Sequence, residues 1–262
     1  MPEKLTILIP TLNEEENLPS CMASIGDLAD ELLVLDNYSS DRTVEVARSH
    51  NAVIHQRNFD NFSANKNAAL PLARNNWVLV VDADEHLTPG LREEIRGLLR
   101  NVPEHDAYAI RRDAFVCGKK VRCWSRDWVV RLFRKDKARY STQTLVHEHL
   151  QVQGSIGRLR SPMQHFTFRS FAQYLPKLDA YTTLAAQEAH AKGQRAAFIE
   201  LFLYPPARFL KTYLLRGGIL DGAPGFIIAW LSAYSSFLKF AKLRELQDSK
   251  QVPKRANADH QE

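Results

Sequence analysis

Residues 77–85 read Trp-Val-Leu-Val-Val-Asp-Ala-Asp-Glu, five apolar residues running straight into the carboxylates of Asp82, Asp84 and Glu85. A short, β-branched-rich apolar run with no polar alternation is the pattern of a strand buried on both faces, as in a parallel sheet sandwiched between helices. In open α/β sheets ligands bind beyond the carboxyl ends of the strands, which is where these carboxylates stand.

The same unit recurs upstream. Leu5 to Ile9, Glu31 to Leu35 and Ala52 to His55 read as strands, and each is followed by a polar turn and a helical stretch, the second near Thr43 to His50 and the third over Ala64 to Ala73. This alternation predicts an α/β fold with an open, mostly parallel sheet flanked by helices. Downstream, Leu91 to Leu99 reads as a helix, and Tyr108 to Arg112 and Val129 to Phe133 read as further strands. From about Arg169 the pattern turns helical, with Tyr174 to His190 amphipathic and Phe198 to Leu246 rich in Phe, Leu, Tyr and Trp. The expected division is therefore a catalytic domain over 1–168, a helical, amphipathic extension over 169–247 and a polar tail over 248–262 that predicts disorder.

With 45% apolar and 25% charged residues in 262, the chain has the composition of a globular protein. Its three cysteines, Cys21, Cys117 and Cys123, form no CxxC pair, and the N-terminus lacks the zones of a signal peptide, so a reduced, cytoplasmic setting is expected. The net charge of +5 is modest, but Tyr108 to Tyr140 holds eleven Lys or Arg against three Asp. Such a face is either solvated or attracts phosphorylated glycans, nucleotides or anionic headgroups; no nucleic acid partner is expected. The uncharged stretch Ala223 to Leu238 is sixteen residues long and includes Pro224, short for a spanning helix. Flanked by Arg208, Lys211, Arg216, Lys239, Lys242 and Arg244, the aromatic segment suits an interfacial helix pair on an anionic membrane surface, the alternative being ordinary core packing.

Asp82 and Asp84, two apart after a buried strand, form a DxD triplet suited to Mg2+ or Mn2+. Such ions keep waters and bind through one or two carboxylates plus substrate phosphates, so the sparse ligand set fits a nucleoside diphosphate. The same triplet also occurs in solvated turns. No GxGxxG follows the first strand and no Gly-rich loop with Lys lies near it, which disfavours dinucleotide oxidoreductases and nucleotidyltransferases.

In order along the chain, ILIPTLNEEENLPSCMASI (7–25), LLVLDNYSSDRT (32–43), NKNAAL (65–70) and WVLVVDADE resemble the motif series of the family 2 glycosyltransferases. The resemblance implies a GT-A, Rossmann-like fold and a nucleotide diphosphate sugar donor, UDP-sugar favoured. It carries donor-site roles onto Pro10, Thr11, Asn13, Glu14, Asp36, Lys66, Asp82, Ala83 and Asp84, with Asp82 and Asp84 at the metal. Asp36 would read the base, and Lys66 would offset diphosphate charge. Asn37 and Tyr38 depart from the second Asp and the Gly of many relatives.

Further on, RLFRKDKARY (131–140), TLVHEHL (144–150), QHFTF (164–168) and RGGILDGAPGF (216–226) resemble bacterial lipopolysaccharide core β-glucosyltransferases. This implies inverting transfer of a glucose-like hexose to a lipid-linked core oligosaccharide by a protein peripheral to the inner face of the cytoplasmic membrane. Inversion by direct displacement needs a base opposite the leaving group. Glu148 is the candidate, ahead of Asp113, Asp127 and Glu85, although the usual Glu-Asp pair is missing. Trp124, Trp128 and Phe133 could stack on acceptor sugars, Arg126 and Arg131 could bind acceptor phosphates, and His147, His149 or His165 could complete a metal shell or touch a phosphate. Two alternatives remain: transfer to a polyprenyl phosphate, which needs no base, and a non-catalytic nucleotide-sugar-binding module of an envelope complex.

Overall fold

The structure, a computed structural model, describes residues 2–125, 127–141 and 150–248. The first half runs β1 (Leu5–Thr11), α1 (Leu18–Ile25), β2 (Glu31–Asp36), α2 (Thr43–Ser49), β3 (Val53–Gln56), α3 (Phe62–Ala69), β4 (Trp77–Val80), β5 (Glu85–Leu87) and α4 (Pro89–Arg100). Then follow β6 (Ala107–Val116), β7 (Lys119–Val121), β8 (Trp128–Arg134), β9 (Ala138–Tyr140), β10 (Leu150–Val152), β11 (Ile156–Arg158) and β12 (Met163–Phe168). Three helices close the chain: α5 (Phe171–Ala191), α6 (Phe198–Leu210) and α7 (Ala223–Asp248).

The main sheet has the order β3-β2-β1-β4-β8-β6-β12-β5, with β7 and β11 also on β6. Its first four strands are parallel, β1 pairing with β2 through Ile7 and Leu32 and with β4 through Ile7 and Leu79. Beyond β4 the sheet is mixed, since β8 lies antiparallel to both β4 and β6 while β12 runs parallel to β6. The open α/β sheet expected from the sequence is present, and the mostly parallel expectation holds for β3-β2-β1-β4 alone.

The strand period of two explains the unbroken apolar runs. Leu5, Ile7 and Ile9 of β1, with Trp77 and Leu79 of β4 and Val81 beyond it, face one core cluster with Leu18, Met22 and Ile25 of α1 and Leu91, Ile95 and Leu99 of α4. Leu8, Val78 and Val80 face a second cluster with Ala69, Leu70 and Phe133. Both faces of each strand are covered, so neither can be polar. Helix starts are set by caps: Asn61 accepts from the Ala64 amide at 2.8 Å, and Thr88 accepts from the Leu91 amide at 3.2 Å with Pro89 at the first helical position.

The short strands β5, β7 and β9 to β11 escape a pattern reading, because three residues carry too little periodicity. The helices α6 and α7 form an antiparallel pair, as Tyr204 on Phe240, Phe209 on Trp230 and Tyr213 on Phe226 show. The start of α7 presses against the turn before it: a side chain on Gly225 would collide with the Gly218 carbonyl, so glycine is required there. By length and composition α7 could cross a membrane, contrary to the sequence expectation, which stopped the apolar stretch at sixteen residues. The helix continues through Lys239 and Lys242 because its last turns pack on α5.

Candidate active site

A cavity of about 1040 Å3 opens at the carboxyl edge of β1 and β4. The end of β1 contributes Pro10, Thr11 and Leu12, the loop after β2 Asn37, α3 Asn65 and Lys66, and the turn after β4 Asp82, Ala83 and Asp84. Arg112, Trp128 and Arg131 come from β6 and β8, His165 from β12, and Lys177 and Tyr181 from α5. A second cavity of about 400 Å3 adjoins it and shares Leu12, Glu14, Asp84 and Lys177.

The acidic turn is built on a buried charge network. Glu85 is fully buried and accepts the Asp82 amide at 3.1 Å. Arg131, 5% exposed, contacts Glu85 at 2.6 Å and also the Asp82 carboxylate, whose other oxygen lies 3.1 Å from the Lys66 ammonium. Burial alone would raise the Asp82 pKa, but Arg131 and Lys66 outweigh it and hold the carboxyl far below its usual range. Asp82 is therefore ionised with a cation on each oxygen.

Asp84 differs. Its carboxylate stands 3.5 Å from His165 Nε2, both side chains being about one-fifth exposed to the cavity. Burial pulls the His165 pKa down, but the hydrogen bond and charge of Asp84, helped by Glu85, lift it above the ordinary histidine value. A carboxylate and an imidazole at this separation can share one divalent ion and leave its remaining positions to water and phosphate oxygens. Among the described residues no group of three or more His, Cys, Asp or Glu is placed to hold a metal by itself.

Several expected residues take other places. Asp36 does not line the cavity: it is fully buried beneath the wall and accepts from Thr11 at 3.3 Å, the Ser39 amide at 3.1 Å and Gln56 at 2.9 Å. Its neighbour Asn37 faces the cavity, exchanging hydrogen bonds of 2.9 and 3.0 Å with Asn65. Asp36, the last residue of β2, is thus held inward by these three partners, while Asn37 just beyond the strand is the one of the two at the cavity wall.

Asn13 lies in the second cavity at φ 55°, holding the Ser40 amide at 2.8 Å. Glu14 borders both cavities; its burial raises its pKa against the opposing hydrogen bond from Asn17.

On the acceptor side, Trp124 is absent from the cavity wall because it packs with Phe168 and Tyr174 in a separate apolar cluster. Phe133 is fully buried in the core. Arg131 reaches the cavity, but its guanidinium is committed to Asp82 and Glu85. Trp128, 40% exposed, does line the wall, under the guanidinium of Arg158 at 5.0 Å. Of the alternative bases, Glu85 is bound by Arg131, and Asp113 pairs with Lys120 at 2.6 Å away from the cavity. Asp127 is exposed and does not line the cavity. Arg126, His147, Glu148 and His149 lie outside the described residues. Residues that the sequence did not single out include Phe59, Phe62, Asn65 and Lys177; their only sequence signal is proximity to a motif.

Among solved structures, Staphylococcus aureus TarS aligns over 94% of this chain and 55% of its own, at 15% identity and a TM-score of 0.48. Glucosyl-3-phosphoglycerate synthase from Mycobacterium tuberculosis, solved with Mn2+, UDP and phosphoglyceric acid, aligns over 44% of this chain and 43% of its own, at 24% identity and a TM-score of 0.34. Sequence relatives reach further. The lipopolysaccharide core biosynthesis glycosyltransferase LpsC of Rhizobium meliloti is 30% identical over 260 residues, covering 95% of each chain. An uncharacterized glycosyltransferase of Rickettsia typhi, RT0209, is 27% identical over 93% of this chain and 88% of its own. Residues 6–165 match the family described as Glycosyl transferase family 2. That match takes in more than half of the chain, including the strands and turns that build the cavity, and the protein is accordingly a glycosyltransferase of family 2.

Proposed function

We propose that this transferase moves a glucose-like hexose, with inversion, from a nucleoside diphosphate sugar to a hydroxyl of a lipid-linked lipopolysaccharide core oligosaccharide or related envelope glycan. The observation that carries the reading is the convergence of Pro10, Thr11, Glu14, Lys66, Asp82, Ala83 and Asp84 on one cavity large enough for such a donor. The name of the LpsC relative supports the acceptor class.

In this reading the end of β1 and the Asn37–Asn65 pair wall the nucleoside, and a UDP-sugar is the favoured donor. Asp84 and His165 would hold Mg2+ or Mn2+ when it is bound; the ion supplies charge for the departing diphosphate. Asp82 keeps the turn in place through Lys66 and Arg131, and contributes to metal binding through the position of Asp84. Glu148 is the proposed base that takes the acceptor proton. Both flanks of its segment, Tyr140 and Leu150, line the cavity. Trp128 replaces Trp124 as the aromatic platform for an acceptor sugar. Residues 1–168 form the catalytic unit, and 169–247 serve as the acceptor-side and membrane-associated extension on the inner face of the cytoplasmic membrane.

The test is binding and slow hydrolysis of UDP-, TDP-, GDP- and ADP-sugars, with Mn2+, with Mg2+ and with chelator. Selective, chelator-sensitive binding supports the reading. Absence of binding to every donor overturns it in favour of a module without turnover. Glu148→Gln separates acceptors: full activity on a polyprenyl phosphate would replace the hydroxyl acceptor with a phosphate.

A further inference from the structure

The helix α6 has no buried residue, although nine of its thirteen are Phe, Ile, Leu, Tyr or Ala. Phe198, Ile199, Phe202 and Leu203 are each about 60% exposed. The apolar surface continues along the pair through Leu210 and Leu214, past Leu215 at 78% and Leu220 at 67%, and back along α7 through Phe226, Trp230, Tyr234 and Phe237. Isolated exposed apolar residues are ordinary, but a continuous face of this length marks a contact surface.

Two observations say what covers it. The first is charge. Between Phe198 and Leu243 the acids are Glu200 and Asp221, against Arg208, Lys211, Arg216, Lys239 and Lys242. Both acids are occupied within the fold: Glu200 accepts from the Ala197 amide at 3.0 Å, and Asp221 caps the Arg122 and Cys123 amides at 2.7 and 3.0 Å. Exposed Arg208 and Lys211 thus border an apolar face on which, among the described residues, the two acids of this stretch already accept backbone amides. Tyr204, Tyr213, Trp230 and Tyr234 add the amphipathic rings that favour a headgroup boundary.

The second observation is how α7 is anchored. Near its start, Ile228 is buried among Ala114, Val116 and Val121 of the sheet. Near its end, Leu243 is buried against Ala186 and Ala189 of α5, and Lys242 reaches Asp179 and Thr183, both at 2.7 Å. A helix of 26 residues is about 39 Å long, enough to cross a hydrocarbon core of about 30 Å. Crossing would put its two ends on opposite sides of the bilayer. Here both ends are packed on the same folded body, which leaves α7 lying flat.

We propose that α6 and α7 form an in-plane docking face for a membrane bearing anionic headgroups, with the exposed aromatic and leucine side chains in the acyl boundary and Arg208, Lys211 and Arg216 at the phosphates. The face stands on its own observations. Its use rests on the transfer reading: α5 packs on α7 and sends Lys177 and Tyr181 into the cavity wall, so docking holds that wall beside the bilayer, where a lipid-linked acceptor resides.

The test is co-sedimentation of the full chain with vesicles of phosphatidylcholine alone and of equimolar phosphatidylcholine and phosphatidylglycerol, alongside Phe202→Glu with Leu215→Glu, and Arg208→Glu with Lys211→Glu. Binding is expected to anionic vesicles, with Trp230 fluorescence quenched by lipids brominated near the headgroup more than at the chain ends. Either pair of substitutions should weaken it by roughly tenfold or more with an unchanged circular dichroism spectrum, because all four positions are exposed. Vesicle binding unaffected by both pairs overturns the proposal. So does absence of binding with a dimer that Phe202→Glu converts to monomer, which would make the occupant a second copy. Quenching strongest at the chain ends would overturn the flat orientation. Donor binding measured on the same variants keeps failure here distinct from failure of the transferase reading.

Discussion

The guanidinium of Arg131 lies 2.6 Å from the carboxylate of Glu85, two buried groups that sit forty-six residues apart in sequence and together support the Asp82 turn. Removing one partner strands the other's charge. Arg131→Met is expected to destabilise the fold by about 3–5 kcal/mol in chemical denaturation. A loss below about 1 kcal/mol would mean that Glu85 is satisfied without Arg131. The pH dependence has a definite sign: Asp82 is depressed in the folded state, so its stabilisation is complete above its unfolded value of about 3.9 and is lost as pH falls further. Arg131→Met should flatten that acid limb of the stability curve.

The two aspartates of the triplet should separate experimentally. Asp84→Asn or His165→Ala is expected to reduce Mn2+-dependent nucleotide affinity about tenfold or more in calorimetry, with little change in melting temperature. Asp82→Asn should act chiefly on stability, because it leaves Lys66 and Arg131 without their shared counter-charge. The opposite pattern would transfer the metal role to Asp82.

Lys177 stands where the two cavities meet and makes no ion pair with the described residues, while its charge already acts on Glu14. Lys177→Ala should weaken nucleoside diphosphate binding by roughly fivefold to tenfold at low salt and less at high salt, leaving the nucleoside alone unaffected. An unchanged diphosphate affinity would remove α5 from the donor site.

Thiol labelling should count one cysteine. Cys117 is exposed, whereas Cys21 is buried and its pKa lies well above the usual thiol value through burial and the nearby Glu85. Cys123, also buried, is pushed up to about 12 by burial and Asp221. Raised values keep both as neutral thiols, so native protein should take up a single maleimide up to pH of about 9. Rapid reaction of a second thiol would show that one of these pockets opens.

The sheet was legible because its chemistry is local. Trp77 to Val81 has to be apolar throughout when helices cover both faces, and the Asp82 to Glu85 turn follows at the carboxyl edge by chain order alone. Lys66 was legible on its motif, and it does reach the acidic turn. Asp36 and Asn37 show the limit of that legibility. Asp36 ends β2 and Asn37 follows it, but which of them lines the cavity depends on the partners of Asp36 at Thr11, Ser39 and Gln56.

The sequence by itself determined the fold of the first half, the family and the edge at which the site lies, since each follows from periodicities and motifs within a few residues. Tertiary structure alone decided that His165 joins Asp84, that Arg131 is spent on Asp82 and Glu85 rather than on an acceptor, and that α5 walls the cavity. It also decided that both ends of α7 pack on the same folded body. These are pairings between residues tens of positions apart, and side-chain chemistry within a short window carries no record of which distant strand or helix will be folded against it.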